Sequence, residues 1–245
     1  MNPRMTAEEY RNFYASKEYL NEYGYEDLLV TSRIREFNRA LDQIEQRQRP
    51  PGRLLDVGTA TGEFLVEAKK RGWTVSGTEI SDSSVTIAKE KHQLDIFHGW
   101  LDQAPFSKHS FDIIHLSHVL EHVPSPQTML KTIASFLKPT GLVVVEVPHE
   151  FDNWFVRLGR SLGRFQPSTH PSMHHVYFFT PRTLDDALRR AGFLAEVTTY
   201  SLNVPYRTLP PPLRMLGRLA TEIIDRLNGG IYIQAFARPM TEQPE

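Results

Sequence analysis

Cysteine is absent from the chain, and that absence removes disulfide bonds, thiolate nucleophiles and thiolate metal sites from consideration. No stretch approaches the roughly 20 consecutive apolar residues that a membrane-spanning helix needs. The opening residues, MNPRMTAEEYRNFY, lack the apolar core of a secretory signal. A soluble, cytoplasmic protein is the expectation. Charge of one sign is also lacking: 28 Lys and Arg stand against 29 Asp and Glu, for a formal net charge of -1. Such a balance creates no broad field, so neither nucleic acid nor a membrane is expected as a partner. Internal repeats and low-complexity segments are missing as well.

What remains is ample for a core. The 245 residues are 40% hydrophobic and 11% aromatic, which suits one large domain. We read residues 1–245 as a single domain with four parts: a helical N-terminal extension (1–50), a core (51–147), an insertion (148–180) and a C-terminal part (181–245). In the extension, Val30, Ile34, Phe37, Leu41 and Ile44 recur at helical spacing up to the stop RPPG at 49–52. The core changes rhythm. Short apolar runs RLLDV, TVSGTEI, LDIFHG, FDIIHLS and GLVVVEV show little alternation, as strands buried on both faces do.

Helical stretches separate these runs. One lies between Gly62 and Gly72, one follows SDSS, and one begins at Ser125-Pro126 and ends at KPTG. After the irregular insertion, Thr180-Pro181 opens another helix that Gly192 closes, and LAEVTTYSL reads as a strand. PPP at 210–212 leads into a last helix stopped by NGG, and IYIQAFARP follows as a strand. Strands alternating with helices imply a doubly wound, mostly parallel α/β sheet.

The turn LLDVGTATGEF, residues 54–64, passes from a buried strand to a helix at the sheet edge where such folds bind ligands. The nicotinamide fingerprint G-x-G-x-x-G would fall on Gly58, Ala60 and Glu63, and Glu63 is too bulky for its last position. A P-loop is excluded because no Lys follows Gly62. The stretch instead resembles motif I, D-x-G-x-G-x-G, of class I S-adenosylmethionine-dependent methyltransferases, through Asp56, Gly58 and Gly62, with Ala60 in the place of the middle glycine. The segments LEHVPSP, LKPTGLVVVEVP and HHVYFFTPRTLDDALRRAGF are similar to the ubiquinone-type O-methyltransferase branch. The resemblance is clear over 52–147 and continues through 174–193.

The resemblance implies a Rossmann-like class I methyltransferase sheet whose last strand is antiparallel, and S-adenosyl-L-methionine as cofactor with S-adenosyl-L-homocysteine as product. The 51–147 core would then bind the donor, and 148–180 would form an acceptor-side lid. Asp56 is expected near the donor's cationic end, with Gly58, Thr59, Ala60 and Gly62 forming the turn around it. Glu79, 21 residues after Gly58, is placed to accept the ribose hydroxyls, and Ile80 to flank the adenine. Either Asp102 or the backbone of Trp100 and Leu101 would read the adenine. Ser117 and His118, at the end of the fourth strand, complete the donor side.

Methyl transfer to an oxygen calls for alignment and a general base. Among ten histidines, His118, His149 and His175 are the candidates, with His175 foremost because it aligns with a recurrent His of the branch, and His122 reads as structural. His149, His174 and His175 could ligate a divalent cation, but no acidic pair accompanies them and no metal is expected. Arg157, Arg160 and Arg164 fall on one helical face and would suit an anionic acceptor, or form a solvated face. Trp154, Phe155 and Phe165 are candidates for a lid. The expected reaction is methylation of a small-molecule hydroxyl. Open alternatives are N- or C-methylation, and a partner protein that only binds. No N/D-P-P-Y/F segment follows the fourth strand, which disfavours nucleic-acid amine chemistry.

Overall fold

The computed structural model describes residues 9, 27–149, 153, 161, 175–201 and 210–240. Helix α1 (Asp27–Arg47) leads into β1 (Arg53–Val57), α2 (Glu63–Lys70), β2 (Thr74–Glu79), α3 (Asp82–His92) and β3 (Ile96–His98). Then come a short 3₁₀ turn at Leu101–Gln103, β4 (Phe111–Ser117), α4 (Pro126–Phe136) and β5 (Leu137–Pro148). The chain continues with α5 (Pro181–Arg190), β6 (Phe193–Tyr200), α6 (Pro211–Arg226) and β7 (Tyr232–Pro239).

The seven strands form one sheet in the order β3-β2-β1-β4-β5-β7-β6. Pairings from β3 to β5 are parallel, and β7 runs antiparallel to both neighbours. This is the doubly wound sheet expected from the alternating pattern, with the last strand reversed. The chain order turns back between β1 and β4, so the carboxyl ends of these strands open a crevice, as is usual in such sheets.

Local chemistry fixes the helix starts. Ser125 accepts the Thr128 amide at 3.3 Å with Pro126 in the first turn of α4. At α5, Thr180 and Thr183 exchange hydroxyl and amide in a capping box. Two apolar layers close the sheet. On one face Leu130 and Ile133 of α4 and Leu184 and Leu188 of α5 are fully buried against Val143 and Val145. On the other, Leu41 and Ile44 of α1 pack with Phe64 and Leu65 of α2 and Val85 of α3. Each such side chain contributes about 1.5–3 kcal/mol by leaving water.

Two boundaries differ from the sequence expectation. The turn residues KPTG lie within β5: pairing jumps from Phe111–Leu137 to Ile113–Leu142, so 138–141 bulge out of the ladder. The LDIFHG run shortens to Ile96–His98, at the edge of the sheet. Among the described residues, no helix is long and apolar enough to cross a membrane.

Candidate active site

The turn between β1 and α2 is wound left-handed. Gly58, Ala60 and Gly62 have φ of 70°, 48° and 89°. The Gly58 and Thr59 amides both donate to Thr78 O, at 2.9 and 3.1 Å, which pins the turn to β2. Ala60 is the only one of the three with a side chain, and it carries a left-handed penalty of about 1–2 kcal/mol. The glycines are required by contact as well as by φ. A Cβ on Gly58 would stand 2.6 Å from Val119 Cγ2, and one on Gly62 would stand 2.5 Å from Leu94 Cδ1. Gly62 therefore makes room for helix packing, whereas Gly58 borders the open side.

Glu79 closes the end of β2. Its Oε1 accepts the amides of Ile80 and Ser81 at 2.8 and 2.9 Å, and its Oε2 accepts that of Ala60 at 2.9 Å. Burial pushes the Glu79 carboxyl above the usual glutamate range, against the pull of these three amides. A cavity opens here, lined by Gly58, Ala60, Glu79, Ile80, Trp100 and Leu101 together with His118 and His122. A second hollow shares Trp100 and Leu101 and adds Asp102, so Asp102 faces the next chamber.

Besides Asp102, four residues of the expected donor set do not line the cavity. Asp56 is buried, and its Oδ1 accepts His115 Nδ1–H at 2.7 Å. His115 in turn stacks on Phe64 at 4.0 Å. The carboxylate expected near a cationic ligand is thus turned to an internal partner. Thr59 is buried with its hydroxyl unpaired. Gly62 caps α2, and the Ser117 hydroxyl donates to Glu146 Oε1 at 3.0 Å.

The histidines separate by environment. His118 follows β4 with φ of 56° and keeps 44% of its side chain exposed toward the cavity. Its Nδ1 lies 3.3 Å from Glu121 Oε1 and its Nε2 3.6 Å from Glu146 Oε1. Desolvation pulls its pKa down, but the carboxylate of Glu121 beside Nδ1, joined by that of Glu146, outweighs that and holds it above the ordinary imidazole value. His149 is interior: 3% exposed, with Nδ1 bonded to Gly230 O at 2.9 Å. It ties β5 to the start of β7. His175 sits edge-on to His122 at 4.7 Å, and of the two only His122 is among the residues lining the cavity. One atom each from Glu121, His122 and His175 fall within 4.8 Å of one another. The trio His149, His174 and His175 does not assemble from the described residues: His149 points into the fold, and His174 lies outside them. Arg157, Arg160, Arg164, Trp154, Phe155 and Phe165 also lie outside.

Sequence reasoning passed over Glu121, Glu146, Tyr200 and Tyr232. The available signal was an acid in the apolar run GLVVVEV, at its carboxyl end, where a strand buried on both faces gives a charge no bland place.

A family model described as a methyltransferase domain matches residues 29–196. The chain belongs to that family. It is 38% identical over 107 residues to the ubiquinone biosynthesis O-methyltransferase of Coxiella burnetii, a match covering 41% of this chain and 46% of that protein. The match thus spans about half the length of that relative. An S-adenosylmethionine-dependent methyltransferase of Thermotoga maritima superposes with a TM-score of 0.60 at 21% identity, covering 90% of this chain and 96% of the other. Phosphoethanolamine N-methyltransferase 2 of Haemonchus contortus, solved with S-adenosyl-L-methionine, gives a TM-score of 0.58 at 15% identity, covering 98% and 61%. At such identities the solved structures bear on the fold alone. By family this is a methyltransferase-domain protein, and its fold is that of S-adenosylmethionine-dependent methyltransferases, one of them solved with S-adenosyl-L-methionine.

The methyltransferase's own geometry fits that cofactor. Glu79 Oε2 accepts a single amide and so retains a lone pair for a ribose hydroxyl. The left-handed turn leaves the backbone at Gly58 and Ala60 open to a close ligand.

Proposed function

We propose that the protein methylates a small-molecule hydroxyl with S-adenosyl-L-methionine, and that His118 is the general base. The carrying observation is that Glu79 and His118 line one and the same cavity. In this reading Glu79 holds the ribose, Ile80 and the backbone at Trp100–Leu101 flank the adenine, and the Gly58–Ala60 turn borders the rest of the donor. When bound, S-adenosyl-L-methionine supplies a methyl group on a sulfonium, whose carbon–sulfur bonding pair leaves with sulfur.

The chain itself provides alignment and a proton sink. Glu121 Oε1 faces His118 Nδ1 at 3.3 Å, and Nε2 is the nitrogen left to take a proton. A carboxylate at Nδ1 holds the ring in the tautomer that leaves Nε2 free to accept, and stabilises the imidazolium that results. The left-handed backbone of His118 is a local strain of the kind concentrated at functional sites. His118 is among the residues lining this cavity and His149 and His175 are not, which supports His118 as the base.

The test is turnover with labelled donor against a panel of phenols, sugars and carboxylates. On any accepted substrate, His118→Ala is expected to lower kcat roughly 10²-fold or more while leaving S-adenosylhomocysteine affinity near wild type. Full turnover in His118→Ala would remove the base assignment.

A further inference from the structure

We propose that Glu146 is a positioning residue for His118: its carboxylate, clamped by the Tyr200 hydroxyl, stands beside Nε2 and stabilises the positive charge that the ring gains once it has taken the acceptor's proton. This inference rests on the reading of His118 as the base.

Glu146 holds His118 twice. Its backbone carbonyl accepts the His118 amide at 3.0 Å, extending the β4–β5 pairing one residue past the end of β4. Its side chain, 15% exposed, brings Oε1 to 3.6 Å from His118 Nε2 while accepting the Ser117 hydroxyl. The other oxygen, Oε2, accepts the Tyr200 hydroxyl. Burial first, and then the charge of Glu146, push the Tyr200 hydroxyl far above its ordinary range, so Tyr200 stays a donor at any working pH.

Tyr200 is itself fixed. The Arg39 guanidinium lies 3.8 Å over one side of its ring, and Tyr232 stacks on it at 5.4 Å. Tyr232 then turns its ring edge-to-face with His118 at 5.6 Å. Glu146, His118, Tyr232 and Tyr200 thus form a closed circuit of four side chains from the ends of β4, β5, β6 and β7. A tether meant only to join β6 to β5 would need Tyr200 and Glu146 alone. It would not need the base nitrogen on the same carboxylate or the second tyrosine against the base.

The chemistry suits the circuit. Proton transfer forms an N–H bond at Nε2 as the acceptor O–H bond breaks, and the ring gains a positive charge. Glu121 meets that charge from Nδ1 and Glu146 from Nε2. Among the described residues, the other charged or titratable groups around His118 are Arg33 and Glu36 of α1, His122 on its own loop and Tyr232 of β7. Arg33 opposes the imidazolium and Glu36 favours it, so the two carboxylates bracketing the ring decide the balance.

The experiment follows the His118 ring by proton and ¹⁵N NMR across pH, using the full chain with S-adenosylhomocysteine bound. Wild type is compared with Glu146→Gln and Tyr200→Phe, and His118→Ala assigns the signal. Expected is a lower titration midpoint for His118 in Glu146→Gln, by about one pH unit, and a smaller fall in Tyr200→Phe, with S-adenosylhomocysteine affinity unchanged. Should Glu146→Gln fail to fold, Tyr200→Phe removes one hydroxyl and gives the answer alone. A His118 midpoint that stays at the wild-type value in folded variants overturns the role of Glu146 and leaves the base reading standing. A base reading that is wrong shows itself separately, as full turnover in His118→Ala.

Discussion

Glu79 accepts the amide of Ala60 across 2.9 Å, joining the end of β2 to the left-handed residue in the turn after β1. One carboxylate therefore organises the turn and presents a lone pair to the cavity. Glu79→Ala removes an acceptor from three amides and from any ribose hydroxyl, and donor affinity is expected to fall by about 1–3 kcal/mol. Calorimetry with S-adenosylhomocysteine measures it. Wild-type affinity in a folded variant would show that Glu79 does not meet the ligand.

The same carboxylate sets an acid limit on donor binding. Burial raises its pKa, so it becomes neutral at a higher pH than an ordinary glutamate. Ribose hydroxyls need the ionised form as acceptor. Affinity for S-adenosylhomocysteine is expected to fall as pH drops through that raised pKa, and Glu79→Gln should lose this dependence. The stability effect of this group has the opposite sign: a raised carboxylate pKa in the fold means stability declines as pH rises from the usual glutamate value to the raised one. A pH-independent wild-type affinity down to the usual glutamate range would contradict the first part.

Legibility in the sequence followed distance along the chain. The turn at 58–62, Glu79 and the cavity position of His118 could be read because each is set by a strand end and a local spacing. Asp56 could be found but not its orientation, since its partner His115 is 59 positions away. Glu146 and Tyr200 meet across 54 positions through a register that β7 mediates. His149 looked like a mouth residue from its place after β5. In the folded chain it turns to Gly230, a choice made by the antiparallel return of β7. The KPTG signal marked a true irregularity, but it bulges within β5 because pairing with β4 resumes on both sides.

Two glycines with similar backbones separate strain from contact. Gly58 and Gly192 have φ of 70° and 88°, but a Cβ on Gly192 meets nothing within 4 Å while one on Gly58 meets Val119 at 2.6 Å. Gly192→Ala should cost only the left-handed penalty of about 1–2 kcal/mol. Gly58→Ala should cost more, and Val119→Ala in the same chain should recover part of the excess. Thermal or urea unfolding of the three variants measures this. Equal losses at the two glycines would mean that Val119 yields freely and that contact plays no part.

The pairing of Asp56 with His115 makes the last prediction. Both side chains are buried, and a carboxylate can only accept, so His115 Nδ1 carries the proton in the 2.7 Å bond. His115→Phe keeps a ring against Phe64 but leaves the Asp56 carboxylate buried without that donor. Asp56→Asn leaves an amide in its place that can still accept through its oxygen. The first change is therefore expected to destabilise by about 1–3 kcal/mol, and the second by less. Because the two groups are in contact, adding Asp56→Leu to His115→Phe should recover stability relative to His115→Phe alone, by removing the stranded charge together with its lost partner. Urea unfolding of these three variants and of Asp56→Leu alone, against wild type, completes the comparison. If the double variant loses the full sum of the single losses, Asp56 has another partner on the cavity side, and the expectation that it faces the donor's cationic end is restored.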